Sequence, residues 1–277
     1  MLALAGLIGL LMVGAAAFVG FADATEVDGI GIGEDGNDSL TGGDNDDEIN
    51  GYQGDDLIAG NGGNDDLFGR EGRDTLDGGS GLDTLTGGDG SDVLLGGDGD
   101  DLVYGQNDDD AIGGGGGDDS LIGGDGNDSI AGGNGNDTLQ GGPGDDLLTG
   151  GSGADVLNGG AGDDQIDGVD QDNGADHLNG GQGEDTIVAG GNDTASLGAG
   201  SDVLRLGDWI EAGLAVKVTD FNPAEDHIEV IGEVGLEITV IPTSDTSYAI
   251  FADDDLLANI TSSSEVTSKH VTVIHGS

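Results

Sequence analysis

From Gly33 to Arg205 the chain repeats itself every nine residues, and so short a period is satisfied by stacking many copies of one small unit. Fifteen units run without a gap from Gly33 to Asp167. A twelve-residue unit at 168–179 follows, then units at 180–188, 189–196 (one residue short) and 197–205, giving 19 units in all. Two positions hold through every unit, which a low-complexity solvated tract would not do. The sixth is Asp: Asp38, Asp47, Asp56, Asp65, Asp74, Asp83, Asp92, Asp101, Asp110, Asp119, Asp128, Asp137, Asp146, Asp155, Asp164, Asp176, Asp185, Asp193 and Asp202. The eighth is aliphatic, from Leu40 and Ile49 to Leu204, with Ala195 the smallest.

The fourth position is Gly in 17 units, and its exceptions are Asn45 and Asp108. Asn and Asp are the non-glycine residues that most readily adopt positive φ, so the position is expected to be a left-handed turn residue in every unit. Each unit then reads as a turn over positions one to six and a short strand over seven to nine. The eighth side chain points inward and its neighbours outward. Thr41, Asn50, Thr84, Ser120, Thr138 and Gln165 are polar at such outward positions. Two units, about 18 residues, close one coil. The 173 residues from Gly33 to Arg205 make about nine or ten coils, a rod roughly 45 Å long at about 4.8 Å per coil. The expected fold is an all-β parallel solenoid whose thin core exists only because the units stack.

Stacking places each sixth-position carboxylate about one strand spacing from the next. At ~4.8 Å and an effective dielectric of 20, each like-charged pair costs about 3.5 kcal/mol. The chain carries 57 acidic against five basic residues, a net charge of −52, so it repels nucleic acid and anionic membranes and attracts cations. Calcium suits the turns: it takes six to eight oxygens in loose geometry, and Gly-rich turns expose carbonyls as well as carboxylates. Magnesium demands stricter octahedral geometry, and transition metals want His or Cys ligands that the repeats almost lack. Nineteen turns fall into stacks of ten and nine, whose gaps set a ceiling of 17 ions. Apolar residues are 34% of the chain and aromatics 3%, a composition that by itself predicts disorder. Metal-binding free energy can serve as folding free energy, so the chain is expected to be unstructured without the ion and ordered with it. There is no cysteine, hence no disulfide or thiolate chemistry.

The pattern Gly-Gly-x-Gly-x-Asp-x-aliphatic-x, clearest in GGDGNDSIA (123–131) and GGNGNDTLQ (132–140), resembles the RTX, or haemolysin-type, calcium-binding nonapeptide repeat. The resemblance implies a parallel β-roll in which two nonapeptides make one coil. It implies Ca²⁺ held by the sixth-position carboxylates and by backbone carbonyls of neighbouring turns. It also implies an extracellular or cell-surface location, reached by export from a bacterium and with folding outside, where calcium is plentiful. Such proteins usually carry a large functional domain before the repeats and a C-terminal export signal; here the N-terminus is apolar.

Residues Met1–Ala22 have no charged side chain, and as a helix would span about 33 Å, roughly a bilayer core. They are expected to form an apolar helix, either a membrane anchor or an export signal cleaved near Ala22-Asp23-Ala24. Residues 23–32 read as a linker, 33–205 as the roll and 206–277 as a β-rich cap protecting its last coil. Within the cap, Leu236–Ile241, Ser247–Phe251 and Lys269–Ile274 are β-prone, and Trp209 and Phe221 are expected core residues. The histidines His177, His227, His270 and His275 match no metal-ligand spacing, no Gly-x-Ser-x-Gly elbow occurs, and Gly-x-Gly-x-x-Gly matches arise by chance in so glycine-rich a tract. Asp170 and Asp172, in the inserted unit, belong either to a plain bulge or to an extra ligand set. The reading is a non-enzymatic structural, adhesive or ion-buffering protein, with a surface polysaccharide or protein partner left open. The alternatives are an accessory module of an exported carbohydrate-active enzyme or hydrolase, and a recognition face around the outward Phe68 and Tyr104.

Overall fold

The computed structural model describes residues 25–26, 29–169, 174–207, 210, 214–232, 236–253 and 255–275. Successive strands alternate between two sheets, one of 13 strands and one of 14 among the described residues. Within the regular array each strand pairs in parallel with the strand two along, one coil away: Leu76 lies beside Leu94, and Leu94 beside Ile112. This is the solenoid that the nine-residue period predicts. The eighth-position side chains face each other between the sheets and form the core. Leu67, Leu76, Leu85, Leu94, Val103 and Ile112 are all fully buried.

Two expectations about the unit need correction. The strands are six residues long rather than three, as in Thr75–Ser80 and Val93–Asp98, so they run on through the first three positions of the next unit. The turn is confined to positions four to six. The second position therefore joins the fourth in the left-handed region, at Gly79 and Gly97 and even at Tyr52, Asn61, Arg70 and Gln106. Asp108 takes positive φ as expected, but Asn45 does not, while Asn192 in the short unit does.

The irregular units leave the ladders intact. Leu157 pairs with Leu178 across the twelve-residue unit, and Leu178 with Ala195 across the short one, so the eighth positions stay in register despite the change in spacing. The extra residues are absorbed between the strands Gln165–Asp167 and His177–Gln182, as loops usually absorb insertions. Asp170 and Asp172 lie outside the described residues.

Beyond Arg205 the sheets continue. Val203–Gly207 pairs in parallel with His227–Gly232, and that strand with Val271–His275. In the other sheet Thr194–Ala199 is followed by Val216–Val218 and Asp255–Thr261, both in parallel. Only then does the direction reverse, through Ser247–Ala252 and the terminal strand Ile238–Ser244. Pro242, which has no N–H to offer a further strand, sits on this outermost strand. The strand at 255–261 has no counterpart among the β-prone segments read from the sequence, and Lys269 belongs to a short 3-10 turn, Ser268–His270. Phe221 is buried as expected, and Trp209 lies outside the described residues.

The expected N-terminal apolar helix is also corrected. No α-helix occurs among the described residues, and residues 1–22, on which that expectation falls, lie outside them. Among the described residues no helix is long and apolar enough to cross a membrane.

Candidate metal centre

The 19 sixth-position aspartates form two columns. Asp38, Asp56 and Asp74 begin one, which runs to Asp202; Asp47, Asp65 and Asp83 begin the other, which runs to Asp193. Their geometry repeats from coil to coil. Beyond the first coil, the Oδ1 of the column aspartate accepts a hydrogen bond from the backbone N–H of the aspartate one coil earlier: Asp74 N–H to Asp92 Oδ1, Asp92 N–H to Asp110 Oδ1 and Asp110 N–H to Asp128 Oδ1, each at 2.8 Å. Each carboxylate thus spends one oxygen on an N–H that the turn would otherwise leave unsatisfied.

The other oxygen has no such use. The Oδ2 atoms of Asp56, Asp74, Asp92, Asp110 and Asp128 in one column, and of Asp65, Asp83, Asp101, Asp119 and Asp137 in the other, are buried with no hydrogen-bond partner. At the start of the array and in the short unit it is otherwise: Oδ2 of Asp38, Asp47 and Asp193 accepts from Glu34, Gly43 and Gly190 N–H at 2.7, 2.7 and 2.6 Å. A buried carboxylate oxygen left unpaired is costly, and a repeated column of them calls for a partner.

Electrostatics agree. Burial pushes the Asp110 carboxyl up to about 8; the Asp92 N–H pulls it down, and the neighbouring charges of Asp92, Asp128 and Asp108 push it further up. Burial likewise lifts Asp92, Asp119 and Asp164 to about 7, against the Asp74, Asp101 and Asp146 N–H groups and with their column neighbours adding to the rise. Without a cation in the gaps, ionisation of these groups is disfavoured.

The first-position glycines show what surrounds the orphaned oxygens. A methyl group on Gly78 would lie 2.5 Å from Asp83 Oδ2 and 2.5 Å from the carbonyl oxygen of Gly96, one coil on. The same pair, a carboxylate oxygen from the unit itself and a carbonyl oxygen from the next coil, flanks Gly96, Gly105, Gly114 and Gly132. Hence glycine is needed at this position for space, while at the second and fourth it is favoured for its φ. The converging donors are all hard oxygens, which fits calcium. Among the described residues no three His, Cys, Asp or Glu side chains cluster as a metal site. With one carboxylate per turn, backbone carbonyls must complete any coordination shell.

Two groups of residues escaped the sequence reading. Asp226 extends the first column beyond the array: its Oδ1 accepts from Asp202 N–H at 3.4 Å and its Oδ2 from Asn222 N–H at 2.6 Å, and burial raises it to about 6 against both bonds. The signal was present, since Asp226-His227-Ile228 repeats the Asp-x-aliphatic spacing of Asp202-Val203-Leu204. The second group is the Asn or Asp at the fifth position. Next to an invariant Asp it looks like an accident of composition, yet its side chain is bonded in order along the roll. His177, which matches no metal-ligand spacing, is exposed.

The family model of the RTX calcium-binding nonapeptide repeat matches in overlapping blocks from residue 32 to residue 204. Among solved structures, the solution structure of the AlgE6R3 subunit from the Azotobacter vinelandii mannuronan C5-epimerase is similar at 22% identity, with a TM-score of 0.32, over 44% of this chain and 80% of that one. No curated protein matches the chain.

Proposed function

Because the chain belongs to the RTX calcium-binding nonapeptide repeat family, whose repeats bind Ca²⁺ between turns of a β-roll, we propose that this roll folds as it takes up the ion and serves a secreted or surface-held structural or adhesive role. The observation that carries the reading is the pair of buried columns in which one oxygen of carboxylate after carboxylate lacks a partner. The ligands we assign are the 19 aspartates from Asp38 to Asp202, aided by carbonyls such as that of Gly96. Calcium supplies the positive charge that turns a repelling column into a bridged one. The protein's own part is to hold Oδ1 on the backbone, aim Oδ2 at the gap and keep water from the aliphatic side.

Proteins with these repeats are typically secreted by bacteria, and the repeat itself is a calcium-binding structural element. For this chain we take residues 33–205 as the calcium-binding roll and 206–277 as the cap that closes its last coil. The test is circular dichroism of residues 23–277 during calcium titration, with equilibrium dialysis to count ions. The expected result is little β signal in chelator, a rise with calcium, and at most about 17 ions bound, the number of gaps in columns of ten and nine. A β-rich spectrum indifferent to chelator refutes coupled folding, and dialysis that recovers no calcium refutes the sites.

A further inference from the structure

The fifth-position side chains form a second ladder that runs opposite to the first. Asp100 Oδ1 accepts from Asp118 N–H at 2.8 Å, and Asp118 Oδ1 from Asn136 N–H at 2.8 Å. On the other stack Asp109 Oδ1 accepts from Asn127 N–H, Asn127 Oδ1 from Asp145 N–H and Asp145 Oδ1 from Asp163 N–H, all at 2.8 Å. The sixth-position carboxylate reaches back to the earlier coil, whereas the fifth-position side chain offers its oxygen to the later one. Two consecutive N–H groups in each turn are therefore tied in opposite directions. That double tie fixes the peptide plane from which the calcium-facing carboxylate projects.

Between Asn37 and Asp163 the second ladder lapses in both stacks at one level of the roll, and it stops again at Ala154, whose side chain offers no acceptor to the coil beyond. Three consecutive units carry Arg73, Leu82 and Ser91 at the fifth position. The N–H groups of Arg73 and Leu82 are still held from the earlier coil, by Asp55 and Asn64 Oδ1 at 3.0 and 2.9 Å. Among the described residues no such bond passes from Arg73, Leu82 or Ser91 to the coil beyond. Both stacks are affected at the same height, because Leu82 lies on the opposite side between the other two. The sixth-position ladder crosses this level unbroken, with Asp74 N–H on Asp92 Oδ1 and Asp83 N–H on Asp101 Oδ1, both at 2.8 Å. Leu82 is 56% exposed. Arg73 and Ser91 line a notch of about 430 Å³ with Asp55, Glu71, Asp89 and Asp108.

We propose that the fifth-position Asn and Asp are positioning residues for the calcium-holding turns, and that the lapse at Arg73, Leu82 and Ser91 divides the roll into two blocks that take up calcium in separate steps. This rests on the calcium reading above. The ladder is doubled in both stacks on either side of the lapse, from Asn37 to Asn64 before it and from Asp100 to Asp163 after it; the later block holds more coils, each supported by its neighbours, and orders at lower free calcium than the block before Arg73. Three missing ties, each worth a modest hydrogen bond, loosen the junction enough to separate the two midpoints by about tenfold.

The test is hydrogen–deuterium exchange of the full chain, followed by mass spectrometry over a range of chelator-buffered calcium. Peptides from residues 33–70 and from 100–165 are expected to gain protection at midpoints about tenfold apart. The combined variant Arg73→Asn, Leu82→Asn, Ser91→Asn restores the acceptors, and is expected to merge the two steps. Asp118→Ala should raise the midpoint of its own block alone, and Asp118→Asn, which keeps the acceptor, should restore it. A single step throughout the parent chain, steps that stay apart in the triple variant, or an Asp118→Ala midpoint unmoved each overturn the proposal. Absence of calcium-dependent protection anywhere instead overturns the calcium reading beneath it.

Discussion

Replacing Asp110 by Asn separates what its carboxylate does with metal from what it does without. The side chain is buried, accepts the Asp92 N–H through Oδ1 at 2.8 Å, and has no partner at Oδ2. Asparagine keeps the Oδ1 acceptor and the shape while removing the charge. Without calcium the ionised carboxylate faces Asp92 and Asp128, one strand spacing away on either side. At ~4.8 Å and an effective dielectric of 20, these two neighbours cost about 7 kcal/mol together. Protonation along the column and screening by salt relieve part of that, leaving about 2–4 kcal/mol to be gained by the substitution above the Asp110 pKa of about 8. With calcium the sign reverses: the variant lacks one charged oxygen donor and leaves a buried ion under-neutralised, a loss of about 3–5 kcal/mol. The assay is far-ultraviolet circular dichroism at a pH one unit above that pKa. In chelator the variant is expected to show more β signal than the parent; in saturating calcium its urea midpoint should be lower. Shifts of the same sign in both conditions would falsify the view that repulsion and metal ligation act through one carboxylate.

Three further outcomes follow from the same geometry. Burial lifts the folded pKa of Asp65, Asp92 and Asp110 to about 6, 7 and 8 against an ordinary 3.8, so the calcium-free fold binds more protons than the unfolded chain. That contribution is fully present below about pH 4 and is lost as pH rises through 6 to 8; a calcium-free sample should therefore gain β signal on acidification from pH 8 to 5, while calcium binding weakens over the same range and releases protons measurable by pH-stat. Gly78→Ala sets a methyl 2.5 Å from both Asp83 Oδ2 and the Gly96 carbonyl, and should lower calcium-loaded stability by about 1–3 kcal/mol in urea unfolding, with calcium affinity falling as well. Leu94→Ala empties a fully buried position between Leu76 and Ile112, and should cost about 2–5 kcal/mol by the same assay without altering the number of ions bound.

The coil length, the inward eighth position and the two aspartate columns were legible because each follows from a strict period, and a period constrains every unit at once. What stayed hidden depends on relations between coils that differ from unit to unit. The strand length is an example: Gly-Gly at positions one and two reads as turn, since glycine is poor in strands. Only stacking, with Asp83 Oδ2 and the Gly96 carbonyl closing on Gly78, turns the first of them into a strand residue that must lack a side chain. The fifth position shows the converse. It holds Asn37, Asp55 and Asn127 but also Arg73 and Ala154, so it looks variable; yet its bond at Asn37 or Asn127 is to a residue one full coil away, and wherever its own side chain cannot accept, the next coil goes untied. A repeat read one unit at a time conceals this, because the donor and the acceptor of every such bond belong to different units. The same holds for Asp226: it falls outside the nonapeptide frame and was invisible to a search by period, but it meets Asp202 because the sheets continue past the array. In a solenoid of this kind the invariant positions state what the unit is, and the variable ones state where the stack is strong or weak. Differences in metal affinity along the roll should therefore be sought at the fifth position, not among the identical aspartates.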